Sequence, residues 1–203
     1  MSADLDALYQ ETVNAYTSAV HERWRAAAAR DFTHFTQWLH ALPLGPDNAV
    51  FEIYESLAQS DDVPVSFFVG ETRRLLRFAE SHPREAGVYM PLGALAFLDA
   101  DRPGYDDLVG EVTLHMHFSV PQIRRAAATL LGTLAYARHR AATAALRHAV
   151  EHDSDWRVRC MAHAALVDLR MDEPAMPPPP RLALVDGLRK WWRPPVGDFQ
   201  IAA

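Results

Sequence analysis

The side chains able to do chemistry are few and scattered. His148 and His152 stand four apart, which presents two imidazoles on one helical face as metal ligands, and Asp153 or Asp155 can add carboxylate oxygens. Nothing else in the sequence points to a third ligand, so the pair reads as an exposed face and no metal or other cofactor is expected. His115 and His117, two apart, fall on different faces of a helix. Asp61 with Asp62, Asp99 with Asp101, Asp106 with Asp107 and Asp153 with Asp155 form carboxylate pairs. Such pairs divide acid and base roles only when one member is desolvated. These lie at helix starts or turns, where capping and the helix dipole explain them. Cys160, the only cysteine, is flanked by Arg157 and Arg159, a setting that can favour a thiolate, but no histidine is aimed at it. There is no glycine-rich phosphate loop, Gly-x-Ser-x-Gly elbow or Cys-x-x-Cys pair. The chemistry leans away from an enzyme.

Arginine is the stronger signal. Arg138, Arg140 and Arg147 cluster with His148, and Arg73, Arg74 and Arg77 form an earlier group; their forks suit carboxylates and phosphates alike. Lys190 is the only lysine, and the net charge of −6 is uneven. Residues 1–118 hold 8 Arg against 18 acids, whereas residues 119–170 hold 8 Arg against 4. A largely acidic body argues against a nucleic-acid track, and nucleic acid is not the expected partner.

The elements that must carry these residues are helices. Leu5, Leu8, Tyr9, Val13, Tyr16, Val20 and Trp24 recur at helical steps and predict one helix from about Asp4 to Arg30. Asp31 caps a second, with Phe32, Phe35, Trp38, Leu39 and Leu42 on its apolar face. Shorter helices follow with Val50, Phe51, Tyr54 and Leu57; with Phe67, Phe68, Leu75, Leu76 and Phe78 inward and the three arginines outward; and with Pro91 breaking a segment from Pro83 to Leu98. Tyr105 to Phe118 completes the series with Leu108, Val109, Val112, Leu114 and Met116 apolar. Connectors are short and no segment sustains period-two alternation. No apolar run reaches the roughly 20 residues of a membrane helix, so no membrane insertion is expected. The first ten residues lack a signal-peptide pattern, which with one cysteine gives a cytoplasmic expectation.

Two segments repeat at an offset of 35. Ser119 to Leu134 is echoed by Ser154 to Leu169, with Ile123 over Val158, Arg124 over Arg159, Ala127 over Ala162, Leu131 over Leu166 and Leu134 over Leu169. Between them, Ala137 to Glu151 supplies a return helix. The pattern Pro121, Ile123, Arg124, Ala127, Leu131, Gly132, Leu134 resembles HEAT repeats, especially the short bacterial kind shared with phycobilisome lyases. The second copy has Trp156 for the proline and Val167 for the glycine, and Phe118 replaces the family aspartate, so the Asp-to-Arg ladder is incomplete. The resemblance implies an all-α, right-handed α-α superhelix of stacked antiparallel hairpins, with residues 1–42 as a cap, 47–118 as degenerate repeats and 119–170 as clear repeats. Residues 171–180 are proline-rich and predict a linker, and Leu182, Val185, Leu188, Trp191 and Trp192 predict a helix in 181–203 that caps the stack or binds a partner.

The expected function is a non-enzymatic protein-binding module, of adaptor or immunity type. Its interaction residues are Arg73, Arg74, Arg77, Arg138, Arg140, Arg147, His148 and Trp156, the return helices lining a concave face as the resemblance implies. Overall helical build also resembles the HEAT-like alkylpurine DNA glycosylases, for which Trp156 with Asp153 or Asp155 is the nearest local candidate. The repeat type further allows a tetrapyrrole lyase or chaperone. The sequence specifies neither the partner nor the oligomeric state.

Overall fold

Apolar side chains at three- and four-residue steps make helices wherever proline and glycine do not intervene, and the computed structural model follows that rule. It describes residues 2–14, 18–43, 48–82, 90–134 and 139–171, in which ten α-helices and no strand occur. They are α1 (Ser2–Asn14), α2 (Ser18–Arg30), α3 (Phe32–Ala41), α4 (Asn48–Ala58), α5 (Val65–Ser81), α6 (Met90–Gly93), α7 (Tyr105–Leu114), α8 (Pro121–Leu134), α9 (Arg140–His152) and α10 (Trp156–Asp168). Single 3-10 turns, Ala94–Phe97 and His115–His117, follow α6 and α7. No described helix is long and apolar enough to cross a membrane.

The expected single helix from Asp4 to Arg30 is two. Trp24 Nε1 donates to Thr12 Oγ1 at 3.0 Å, and Arg23 pairs with Glu11 at 2.6 Å. Residues twelve apart in one continuous helix would stand about 18 Å apart. Folding α2 back on α1 buries Leu5, Leu8, Val20 and Trp24 in one cluster, which neither helix could do alone. Asp31 caps α3 as expected, accepting from His34 N at 3.0 Å. Trp38 then stacks on Trp24 with ring centroids 5.4 Å apart.

Packing continues in two rows. α2 packs on α4, α4 on α6 and its 3-10 turn, that turn on α8, and α8 on α10. In the other row, α3 meets α5 through Phe32 and Phe67, α5 packs on α7, and α7 on α9. Buried apolar residues from both rows form one continuous core.

The two repeat copies superpose in their chemistry. Ile123, Ala127 and Leu131 of α8, and Val158, Ala162 and Leu166 of α10, are all fully buried. Arg124 Nη1 donates to the Phe118 carbonyl at 2.8 Å, and 35 residues on Arg159 Nη1 donates to the Asp153 carbonyl at 2.7 Å. The helices cross closely because Gly132 lacks a side chain: a Cβ there would lie 2.9 Å from both Ala165 Cα and Cβ. α10 ends in a Schellman turn, with Met171 N bonded to Leu166 O, Arg170 N to Val167 O and Arg170 at φ 53°. The expected linker over 171–180 and the expected helix in 181–203 lie outside the described residues, apart from Met171.

Candidate functional site

Each row of helices carries part of the predicted site. Arg73, Arg74 and Arg77 lie on α5, and Arg140, Arg147 and His148 lie on α9, in the row that runs α5, α7, α9. Arg138 lies outside the described residues. Trp156 opens α10, in the other row.

Two of the α5 arginines are committed within the protein. Arg73 forks onto buried Glu111 of α7, Nε to Oε1 at 3.1 Å and Nη2 to Oε2 at 2.6 Å. The pair lies in a cleft of about 770 Å³ between α5 and α7, whose walls include Asp61, Asp106 and Asp107 beside Val65, Val69 and Leu114. Arg74, expected to point outward, is half-buried and turns inward to Glu71 at 2.7 Å. Arg77, Arg140, Arg147 and His148 are exposed.

Glu71 is the centre of a clamp joining three helices. His40 Nε2 of α3 lies 2.6 Å from its Oε1, the Tyr54 hydroxyl of α4 donates to Oε2, and Arg74 also donates to the Tyr54 oxygen at 3.2 Å. Burial opposes charge on Glu71, yet hydrogen bonds from Arg74 and Tyr54, the Arg74 charge and His40 hold its carboxyl below the usual value. Burial first, then the neighbouring carboxylate, pushes the Tyr54 phenol far above its usual range. A carboxylate that stays charged and a phenol that stays protonated exchange no proton near neutrality, so Glu71 and Tyr54 serve as an anchor.

The other acids have similar structural duties. Asp153 is gripped by Arg124, Nε to Oδ2 at 2.7 Å and Nη2 to Oδ1 at 2.8 Å. Burial would raise its pKa, but the Arg124 hydrogen bond and the Asp155 backbone N–H lower it further than burial raises it. Asp155 caps α10, accepting from Arg157 N and Val158 N. The carboxylates beside Trp156 are thus both committed to the fold. Asp99 accepts from Asp101 N, and Asp106 and Asp107 sit in the first turn of α7. His148 and His152 are exposed with their rings 4.8 Å apart. They belong to no group of three metal-ligating side chains among the described residues. His115 is buried and His117 exposed, as their spacing predicts.

Trp156 marks the feature that most resembles a binding site. With Gln122, Arg125, Thr129 and Leu130 of α8, Leu92 and Gly93 of α6, and Arg157, Cys160 and Met161, it lines a cavity of about 500 Å³. The groove is mostly apolar, with two arginines among its walls. Met161 is 37 % exposed, its sulfur accepting from Thr129 Oγ1 at 3.5 Å. Trp156 Nε1 is buried without an acceptor among the described residues. The sequence points to Trp156 and Cys160 but not to Leu92 or Met161; the repeat register, which sets Arg125 of α8 against Cys160 of α10 outside the core, is the signal that reaches this groove.

The described residues form an all-helical arrangement with an apolar groove on the α6–α8–α10 row and structural ion pairs in both rows. Comparison with protein-family models, curated proteins and solved structures returns no match.

Proposed function

We propose that the chain is a non-enzymatic protein-binding module built as a right-handed α-α superhelix of HEAT-like hairpins. Two features support the stacked-hairpin reading: alternation of successive helices between two packed rows, and the recurrence of the Arg124 and Arg159 carbonyl contacts at a 35-residue offset. Glu71 with Tyr54, and Asp153 with Asp155, are engaged in contacts that hold helices together or cap them.

The observation that carries the binding reading is the α6–α8–α10 groove. Its partner is an acidic amphipathic segment of another protein, whose apolar side chains enter between Leu92, Leu130 and Met161 while its carboxylates meet Arg125 and Arg157. This shifts the binding face from the α5 and α9 arginines, two of which are spent on Glu71 and Glu111.

Display of amphipathic peptides of varied charge on the full-length chain tests it. Acidic apolar peptides are expected to be enriched, and Met161→Glu or Arg157→Glu to weaken them about tenfold or more, the size of one lost interface anchor. Arg77→Glu should leave them unchanged. Enrichment of basic peptides, or binding indifferent to both groove substitutions, overturns the proposal.

A further inference from the structure

A second group of side chains meets where α2 packs on α4, away from the groove and its partner. His21 is buried on α2, with Glu52 half-buried and Glu55 buried on α4. Glu52 and Glu55 are three residues apart, so one helical face presents both. One ligand atom from each of the three lies within 4.8 Å of the others. Two carboxylates beside an imidazole concentrate negative charge away from water, a cost that a bound cation would offset.

The hydrogen bonds around the cluster set the form of the imidazole. Ser56 Oγ donates its single proton to the Glu52 carbonyl at 2.7 Å, so a lone pair of that oxygen faces His21 Nδ1 at 2.8 Å. Nδ1 can donate to that lone pair, the tautomer in which the lone-pair nitrogen of the neutral ring is Nε2. It lies 3.8 Å from Glu52 Oε2. That distance is beyond an N–H to oxygen hydrogen bond. It approaches the separation of two ligands sharing one ion, about 3.4 Å for tetrahedral bonds near 2.1 Å. Gln59 Nε2 donates to Glu55 Oε1 at 3.1 Å and so orients the second carboxylate. Serine on the far ring nitrogen and an amide on a carboxylate are the kind of outer contacts that aim metal ligands.

We propose that His21 Nε2, Glu52 and Glu55 bind one divalent transition ion of the Zn²⁺ or Mn²⁺ class, which pins α2 to α4. Nitrogen with two carboxylate oxygens suits these ions. Ca²⁺, which takes six to eight oxygens, is a poor match. The site is independent of the peptide groove.

The full-length chain, stripped with chelator, is titrated with Zn²⁺ and separately with Mn²⁺ by calorimetry, and its melting is followed with and without each ion. One ion per chain and a saturating rise in Tm are expected for at least one metal. Glu55→Gln, which preserves shape, and His21→Gln should each weaken binding about tenfold or more, as ligand loss does. His148→Ala/His152→Ala should bind as the parent does. Co²⁺ bound to the parent chain gives a visible d–d spectrum reporting nitrogen and oxygen ligands, and this readout stands even if a variant misfolds. No binding, binding lost only with His148 and His152, or a Co²⁺ site unchanged in folded His21→Gln overturns the proposal.

Discussion

At the scale of single residues, Glu71 makes the clearest claim on stability. Its carboxyl titrates below the usual value in the folded protein, so its contribution is present above the ordinary carboxylate range and is lost as pH falls through the folded value. Asp153, lowered by Arg124, acts with the same sign. Glu71→Gln retains the shape but removes the charge that Arg74 and His40 meet. Arg74 keeps solvent access, so the loss at pH 7 is moderate, about 1–3 kcal/mol. Urea unfolding from pH 7 down to about pH 3.5 should show the gap between parent and variant shrinking as the parent carboxylate protonates. A gap constant across that range would mean that the clamp works through shape alone. The i, i+3 spacing of Glu71 and Arg74 is visible in the sequence. Tyr54 and His40 are 17 and 31 residues away, and only the packing of α3, α4 and α5 brings them in.

At the scale of elements, the α8–α10 contact depends on one missing methyl. Gly132→Ala adds a carbon 2.9 Å from the Ala165 backbone, where the helices must separate to admit it. Alanine gains about 1 kcal/mol in helix propensity, against an overpacking cost of about 1–3 kcal/mol, so a net loss follows. Ala165→Gly in the same chain should recover part of it in denaturant melts; recovery of nothing would place the conflict elsewhere. The repeat helices were legible because Ile123, Ala127, Leu131 and their counterparts obey the helical period and are buried for that reason. The α1–α2 break was not, since the stripe from Leu5 to Trp24 gives no sign that Thr12 will meet Trp24. Leu114 is 62 % exposed because it stands about 200° round α7 from Val112, whereas Met116, four residues beyond Val112, falls on the buried face with Leu108 and Val109. Of the candidate metal cluster, the Glu52 and Glu55 spacing is readable, but His21 joins them only through the packing of α2 on α4.

At the scale of the molecule, the two rows determine how damage should spread. Each helix packs mainly on its neighbours in the row and on its hairpin partner: α8 on α10, α4 on α2 and α6, α5 on α7. In a stack of that kind stability is a sum of local terms and nearest-neighbour interfaces, and an end can open while the rest holds. A protein organised about one indivisible core loses protection everywhere at once. Gly132→Ala separates these cases, because its strain falls on the α8–α10 interface alone. Native-state hydrogen exchange should then show faster exchange in α8, α9 and α10, while amides around Trp24, Phe35 and Ile53 keep the parent rate. Ile53 and Trp24 are fully buried, so their neighbourhood is a sensitive reference. Uniform acceleration through α2 and α4 would show a single cooperative unit and count against the stacked-hairpin reading. Retention in α2 and α4, with loss confined to α8–α10, would support it by a route independent of any sequence pattern.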